Sequence, residues 1–171
     1  TYDIPFIGIE PAIKPAALHT KTQKIGMLAT QGTLNSAHFH QTVALYSDVK
    51  VVEQIGYELV QLIESGAMHS EKMTQLLKDY LLPMVAEGID YLVLGCTHYP
   101  YLIPQIKKII PNQIKIIDSG EAVAKQTKHI LEVNNLYNTS NEVFHSFYIN
   151  NPPDVMHDLI GTSFKVDYKI F

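Results

Sequence analysis

Cysteine, tryptophan, basic residues and long apolar runs are all scarce in this sequence of 171 residues. Because Cys96 is its single cysteine, no intramolecular disulfide and no metal site built from several thiolates is possible. Lysine and arginine number 13 against 17 acidic residues, a net charge of −4, whereas phosphate binding usually needs a basic surplus. No apolar run approaches the roughly 18 residues of a membrane span, and the first residues lack the layout of a secretion signal. We therefore expect a cytoplasmic location, no nucleic-acid partner and no membrane contact.

The residues that are present are typical of a globular α/β protein. Hydrophobic residues make up 46% of the chain, enough for a sizeable core. Short apolar runs alternate with longer stretches of helical periodicity, which indicates a parallel sheet flanked by helices. Strands are predicted at residues 5–9, 24–29, 49–52, 91–94, 114–117, 142–149 and 165–171. Helices are predicted at residues 33–45, 56–64, 70–85, 102–110 and 119–133, with a short one after residues 152–153.

Capping residues mark the starts of three of these helices. Thr33, Ser70 and Ser119 each precede a stretch of apolar residues at three- and four-residue spacing, so each is expected to be an N-cap. The chain begins at Thr1 rather than at a methionine, and apolar residues follow almost at once. We expect from this start that the chain has been cut.

Reactive side chains converge in one stretch of the sequence, residues 91–100. A predicted strand ends in Gly95, and Cys96, Thr97 and His98 follow it in order. Open parallel sheets bind ligands at the carboxyl ends of their strands, so this position indicates a functional site. His98 is placed to pair with the thiol of Cys96 or to transfer protons itself. The alternative is a buried cysteine beside a surface histidine, since burial is the commonest fate of a lone cysteine.

Several segments of the chain together resemble one known family. Residues 94–100, which read Leu-Gly-Cys-Thr-His-Tyr-Pro, are similar to the second catalytic-cysteine motif of glutamate racemases. Residues 7–12 resemble that family's crossing between its two domains, and residues 28–33 resemble its substrate loop. Residues 62–64 resemble the segment with an assisting glutamate, and residues 117–120 resemble the return into the first domain.

The resemblance implies a cofactor-independent interconversion of L- and D-glutamate that serves peptidoglycan synthesis, by two similar α/β domains with the active site between them. In the family, two thiols on facing domains act in turn as base and acid at the α-carbon. Cys96 would be one of these thiols, His98 would tune or reprotonate it, and Glu64 would set the protonation state nearby. The residues that would hydrogen-bond the substrate's carboxylates are Thr30, Thr33 and Thr97. Neither a cofactor nor a metal is implied, and a homodimer is one option for the parent protein.

The sequence departs from the family at its start. The family's first cysteine and its Asp-Ser-Gly motif lie before the segment that matches here, and neither is present. One thiol cannot run a two-thiol reaction, so we expect a C-terminal portion of a racemase that is inactive alone. The expected organisation is a strand end and crossing at 1–10, a second domain at 11–115 and a return into the first domain at 116–171. A smaller departure is Gln61, where the family commonly has proline.

Other interpretations of the sequence stay open. The chain could be an aspartate or hydantoin racemase, another cysteine-dependent isomerase of the superfamily, or a non-catalytic binding module on the same scaffold. Glu10, next to Pro11, is equally consistent with catalysis and with a position at a helix N-terminus. The eight histidines predict no metal site, because His38 and His40 lie two apart on a predicted helix and face different directions.

Overall fold

Four parallel strands form the central sheet, in the order β2-β1-β3-β4. The computed structural model describes residues 4–140 and 142–171, so the start at Thr1 lies outside the described residues. The strands are β1 (Lys24–Ala29), β2 (Lys50–Ile55), β3 (Tyr91–Gly95), β4 (Lys115–Ile117), β5 (Phe147–Ile149) and β6 (Val166–Tyr168). The helices are α1 (Ile13–His19), α2 (Gln31–Leu34), α3 (Ala37–Ala44), α4 (Leu59–Glu64), α5 (Glu71–Ala86), α6 (Ile103–Ile106), α7 (Gly120–Val133) and α8 (Pro153–Ile160). This architecture confirms the predicted α/β class with a parallel sheet flanked by helices.

The two inner strands, β1 and β3, are nearly continuous hydrophobic runs because helices cover both faces of the sheet. Five of the six residues of β1 and four of the five of β3 are buried. Strand β1 lies between β2 and β3, so the chain leaves β1 to one side for β2 and then crosses to the other side for β3. The topological switch point of the sheet therefore lies between β1 and β3.

The sheet separates two hydrophobic cores. Helices α4 and α5 cover one face, where Leu77 and Met84 are almost completely buried. Helices α1 and α3 cover the other face, where Ile13 and Phe39 are equally inaccessible. Ser70 caps α5 by accepting a hydrogen bond from the amide of Met73, as predicted.

The strand predicted at residues 5–9 is wrong. No strand of the described part of the chain pairs with these residues, and Ile4, Phe6 and Ile9 have more than half of their surface exposed. An apolar run forms a strand only where a neighbouring edge supplies hydrogen bonds to its backbone. Residues 4–11, which we call the crossing segment, therefore have no regular secondary structure.

The predicted cap at Thr33 is wrong, and the one at Ser119 is right in its N-cap position but not in its hydrogen bond. The helix expected to start at Thr33 is divided into α2 and α3, because the hydroxyls of Thr30 and Ser36 each accept an amide hydrogen bond and each start a separate helix. The side chain of Ser119 does not cap α7. Its hydroxyl donates instead to the carbonyl oxygen of Glu10 in the crossing segment.

The remaining elements follow β4. Strands β5 and β6 form a separate parallel pair, shorter than the strands predicted at 142–149 and 165–171. No residue of α7 or α8 is buried. Among the helices of the described residues, none is long and apolar enough to cross a membrane. The domain boundaries expected after residues 10 and 115 stay a prediction.

Candidate active site

A crevice of about 630 Å³ opens at the carboxyl edge of the sheet, at the switch point between β1 and β3. Its volume is within the roughly 300–1,000 Å³ that is usual for small-molecule sites. The loop after β1 and the loop after β3 form two of its walls. The third wall is formed by the end of the crossing segment together with residues 118–120. The location is the one that open α/β sheets use for ligands.

Gly95 brings β3 close to β1 directly before the thiol. A Cβ atom at this position would collide with the methyl group of Met27 and lie 2.9 Å from the Cβ of Ala29. The close approach at this glycine is therefore made by side chains of the neighbouring strand. It fixes the point at which the chain leaves the sheet, and thereby places Cys96 in the lining of the crevice.

Cys96, His98 and Glu64 form a chain of contacts. Nδ1 of His98 lies 3.9 Å from Sγ of Cys96, and Nε2 of His98 lies 3.1 Å from Oε1 of Glu64. The carboxylate assigns the ring proton to Nε2, which leaves Nδ1 as the acceptor that faces the thiol. A base next to a nucleophilic or acidic group, oriented in turn by a third group, is a recurring arrangement in enzymes that use Cys or Ser.

The environment of Cys96 favours its protonated form. Burial raises the pKa of the thiol, and the negative charge of Glu64 raises it further. The backbone amides of His98 and Tyr99 act in the opposite direction, because they donate to the sulfur, but the net shift of the pKa is upward. Cys96 therefore rests as a thiol, with the imidazole of His98 beside it.

Hydroxyl groups from two loops meet at the same crevice. Oγ1 of Thr30 lies 3.0 Å from Oγ1 of Thr33, and the Thr33 hydroxyl donates to the carbonyl oxygen of Gly95 at 3.2 Å. Both threonines and Thr97 line the crevice together with Cys96. The structure thus brings together four of the six predicted site residues in the lining. The other two lie outside the lining: His98 contacts the thiol, and Glu64 contacts His98.

Sequence reasoning missed His38 as a lining residue. Its Nε2 lies 3.1 Å from Oε1 of Glu10, and both residues border the crevice. His40, two residues later, packs its ring edge-on against Phe39, which agrees with the expectation that the two histidines face different directions. His38 lies in the first turn of α3, the second helix after β1, and its local sequence gives no signal that this turn reaches the crevice.

A thiol beside an imidazole, at the switch point of a parallel sheet, defines the class of the protein: an α/β domain with a cysteine-centred ligand crevice. Within this class, the chain belongs to the Asp/Glu/Hydantoin racemase family, whose sequence pattern matches residues 1–127.

Its relatives by sequence include glutamate racemases of two bacteria. The chain is 46% identical to that of Pseudomonas putida over 133 residues, which is 77% of this chain and 50% of the relative. It is 40% identical to that of Stutzerimonas stutzeri over 154 residues, which is 90% of this chain and 58% of the relative. The chain therefore spans about half the length of the curated relatives that it matches.

Solved structures give the same assignment. Escherichia coli glutamate racemase, in complex with L-glutamate and the activator UDP-MurNAc-Ala, superimposes with a TM-score of 0.80 at 27% identity. That superposition covers 99% of this chain and 66% of the E. coli chain. A glutamate racemase isoform from Bacillus anthracis superimposes with a TM-score of 0.80 at 30% identity, covering 100% of this chain and 66% of the other.

Proposed function

We propose that this chain supplies one of the two thiols of a glutamate racemase site. The observation that supports this most directly is the chain of contacts from Cys96 through His98 to Glu64, at the edge of a crevice lined with hydroxyls. Racemisation at an α-carbon needs an acid on one face and a base on the other. The second thiol is not among these 171 residues, so we infer that it comes from a polypeptide segment outside them.

Cys96 acts as the acid when its turnover begins from the resting thiol. A base on the opposite face removes the α-proton of glutamate, and Cys96 donates its own proton to the near face of the resulting carbanion. The α-carbon is inverted, Cys96 becomes a thiolate and the opposite base carries a proton. The reverse reaction uses the same atoms with the roles of acid and base exchanged, so that no cofactor is consumed.

His98 and Glu64 allow Cys96 to change between these two roles. Nδ1 of His98 takes the proton from the thiol, and the imidazolium that forms is stabilised by the carboxylate of Glu64 at the other ring nitrogen. After Cys96 has instead given its proton to the substrate, its thiolate is reprotonated by a solvent proton that His98 passes on, while the opposite group loses its proton to solvent. Glu64 therefore acts through His98, whereas Cys96 is the group that touches the substrate.

Thr30, Thr33 and Thr97 bind the carboxylates of the substrate in this proposal. Hydroxyls that donate to a carboxylate form stronger hydrogen bonds than neutral pairs do, and the Thr30–Thr33 contact keeps two of them at one place. On binding, the Thr33 hydroxyl turns its single proton from the carbonyl oxygen of Gly95 to the substrate. The preference for glutamate over aspartate, the cytoplasmic location and a homodimeric parent protein are parts of the same proposal that rest on the resemblance and on the sequence.

The test uses the single cysteine of the chain as its own reporter. Iodoacetamide alkylates Cys96 in the 171-residue protein, and a ligand in the crevice slows this reaction. We expect D- and L-glutamate to protect Cys96, and glutamine to protect it less. Thr33→Val should weaken protection about tenfold, since a hydrogen bond to a charged group is worth about 1.5–3 kcal/mol. Thr127→Val, the same change on α7 away from the crevice, is the matched control and should leave protection unchanged.

The possible outcomes separate the alternatives. Stronger protection by aspartate than by glutamate would favour an aspartate racemase. No protection by any acidic amino acid would contradict the proposed substrate class. Protection by glutamate without any α-carbon exchange, even when the second thiol is supplied, would favour a non-catalytic binding module.

A further inference from the structure

The crossing segment forms a wall of the crevice although it has little packing of its own. Residues 9–11 line the crevice, but the segment contains no helix or strand. Ile9 is 55% exposed, and the first fully buried side chain after it is that of Ile13, at the start of α1. Polar contacts therefore contribute to its position.

Glu10 makes two such contacts, and they point to two different walls. Its carboxylate meets the imidazole of His38 on α3, with 3.1 Å between Oε1 and Nε2. Its carbonyl oxygen accepts a hydrogen bond from the hydroxyl of Ser119, which directly precedes α7. Glu10 thus connects the crossing segment, the loop region after β1 and the start of α7 around the opening of the crevice.

The Glu10–His38 pair also affects the charge at the opening of the crevice. The ionisable side chains that line the crevice, apart from the Cys96 thiol, are Glu10, His38 and Asp118, within the described residues. Two of them are acidic, and His38 is the one that can carry a positive charge. An acidic amino acid approaching this opening would be repelled by an uncompensated Glu10, because like charges in a crevice disfavour binding.

We propose that Glu10 and His38 are positioning residues: their contact holds the crossing segment as a wall of the crevice, and a protonated His38 offsets the charge of Glu10 against an anionic substrate. The positioning role follows from the contacts alone, whereas the role toward the substrate rests on the proposed function. Exposed ion pairs contribute little to global stability, and the side chains of His38 and Glu10 are 58% and 65% exposed. The effect of this pair is therefore local to the crevice.

The experiment measures two quantities on the 171-residue chain and its variants. The first is backbone hydrogen exchange of residues 4–12, and the second is the glutamate concentration that half-protects Cys96 from iodoacetamide. His38→Ala and Glu10→Gln should each speed exchange of the segment up to about fivefold, the loss that one exposed pair allows. The charge-swapped double variant E10K/H38E should restore slow exchange. The matched control is Glu87→Gln, which breaks the Lys50–Glu87 pair at the opposite edge of the sheet.

Protection of Cys96 by glutamate distinguishes the effect of the pair on charge from its effect on the position of the wall. His38→Ala leaves Glu10 uncompensated, so the half-protecting concentration should rise about fivefold, whereas Glu10→Gln should raise it by no more than about twofold. His38→Lys places a permanent positive charge beside Glu10 and should not raise the half-protecting concentration. A purely structural pair would give equal shifts in H38A and E10Q.

Several results would overturn the inference. Unchanged exchange of residues 4–12 in both single variants would show that the pair does not hold the wall, and so would an equal effect of Glu87→Gln. If glutamate protects Cys96 equally well in the wild type and in all variants, the proposed charge effect is contradicted, but the positioning role is not. If glutamate fails to protect the wild type, the proposed function fails, and the hydrogen-exchange measurement still decides whether Glu10 and His38 hold the wall.

Discussion

The sheet region, residues 13–117, and the C-terminal region, residues 120–171, contain the same kinds of elements but bury them differently. Every α-helix of the sheet region contributes at least one buried side chain, whereas α7 and α8 contribute none. Apolar residues of the C-terminal region such as Leu136 and Phe144 are 55% and 85% exposed. Helical periodicity therefore predicts a helix, but burial requires an apolar surface that faces it.

The candidate site belongs to the better-packed region. Cys96, His98 and Glu64 are held by β3 and α4, whose neighbouring residues are buried in the core. Side chains on loops fixed by a rigid scaffold keep the geometry that proton transfer needs. The C-terminal region contributes to the crevice with residues 118–120 at its boundary.

The strongest test of this contrast is a pair of equal truncations in the two regions. Leu77 is completely buried in α5, while Leu136 follows α7 and is more than half exposed. Leu77→Ala should lower the free energy of unfolding by about 2–5 kcal/mol, because it removes buried methyl groups and leaves a cavity. Leu136→Ala should change it by less than about 0.5 kcal/mol. Urea unfolding of both variants measures the difference, and similar losses would contradict the contrast.

Two glycines at the crevice sharpen the contrast within the sheet region. Gly95→Ala would force a Cβ into Met27 and Ala29, so we expect a loss of about 1–3 kcal/mol from overpacking and faster alkylation of Cys96. Gly32 lies in α2, and a Cβ added to it would have no atom within 4 Å, so Gly32→Ala should be neutral or stabilising by up to about 1 kcal/mol. Thermal unfolding checks both, and a destabilised Gly32→Ala variant would contradict this account.

The amino edge of the sheet region should respond to pH through Asp90. Burial of this carboxyl raises its pKa, but hydrogen bonds from the Thr20 hydroxyl and the amides of Lys21 and Thr22 outweigh burial and lower it. A lowered folded-state pKa stabilises the protein above the unfolded value of about 4, and this stabilisation is lost as the pH falls below it. Asp90→Asn should cost about 1–2 kcal/mol at neutral pH. In acid the difference between wild type and variant should shrink, and a constant difference would exclude this linkage.

Glu64→Gln tests whether the site depends on charge as well as on position. Burial is the largest cause of the raised pKa of Cys96, and the Glu64 carboxylate adds to it. Removing that charge lowers the pKa, so alkylation of Cys96 at a fixed, mildly alkaline pH should become faster. Racemisation, measured with the second thiol supplied, should become slower on the order of tenfold, because His98 loses its orienting partner. Changes of both rates in the same direction would contradict the assigned roles.

The parts of the fold that depend on local sequence were predictable. The alternation of apolar runs and helical periodicity predicted the parallel sheet, and β1 begins and ends where the sequence indicated. The Ser70 cap was predictable because its partner, the amide of Met73, lies three residues away. The position of the motif at residues 95–98, at the carboxyl edge of the sheet, was predictable because the motif directly follows a predicted strand, and its catalytic role stays a prediction.

The parts that depend on distant residues were not predictable. Residues 5–9 have the composition of a strand, but no edge in the described part of the chain pairs with them. The hydroxyl of Ser119 reaches the carbonyl of Glu10, a partner 109 residues away, instead of capping its own helix. The Glu10–His38 contact joins the crossing segment to α3, and nothing in the local sequence of either residue indicates the other.

The most direct test of the central claim is deuterium incorporation at the α-carbon of glutamate in heavy water. The 171-residue chain is assayed together with the part of the Pseudomonas putida relative that it does not match, which supplies the second thiol in this proposal. We predict that both enantiomers gain deuterium and invert in the combined protein, and that Cys96→Ala abolishes both effects. If the combined protein leaves D- and L-glutamate unlabelled, or if Cys96→Ala retains full exchange, the assignment of Cys96 as a racemase thiol is contradicted.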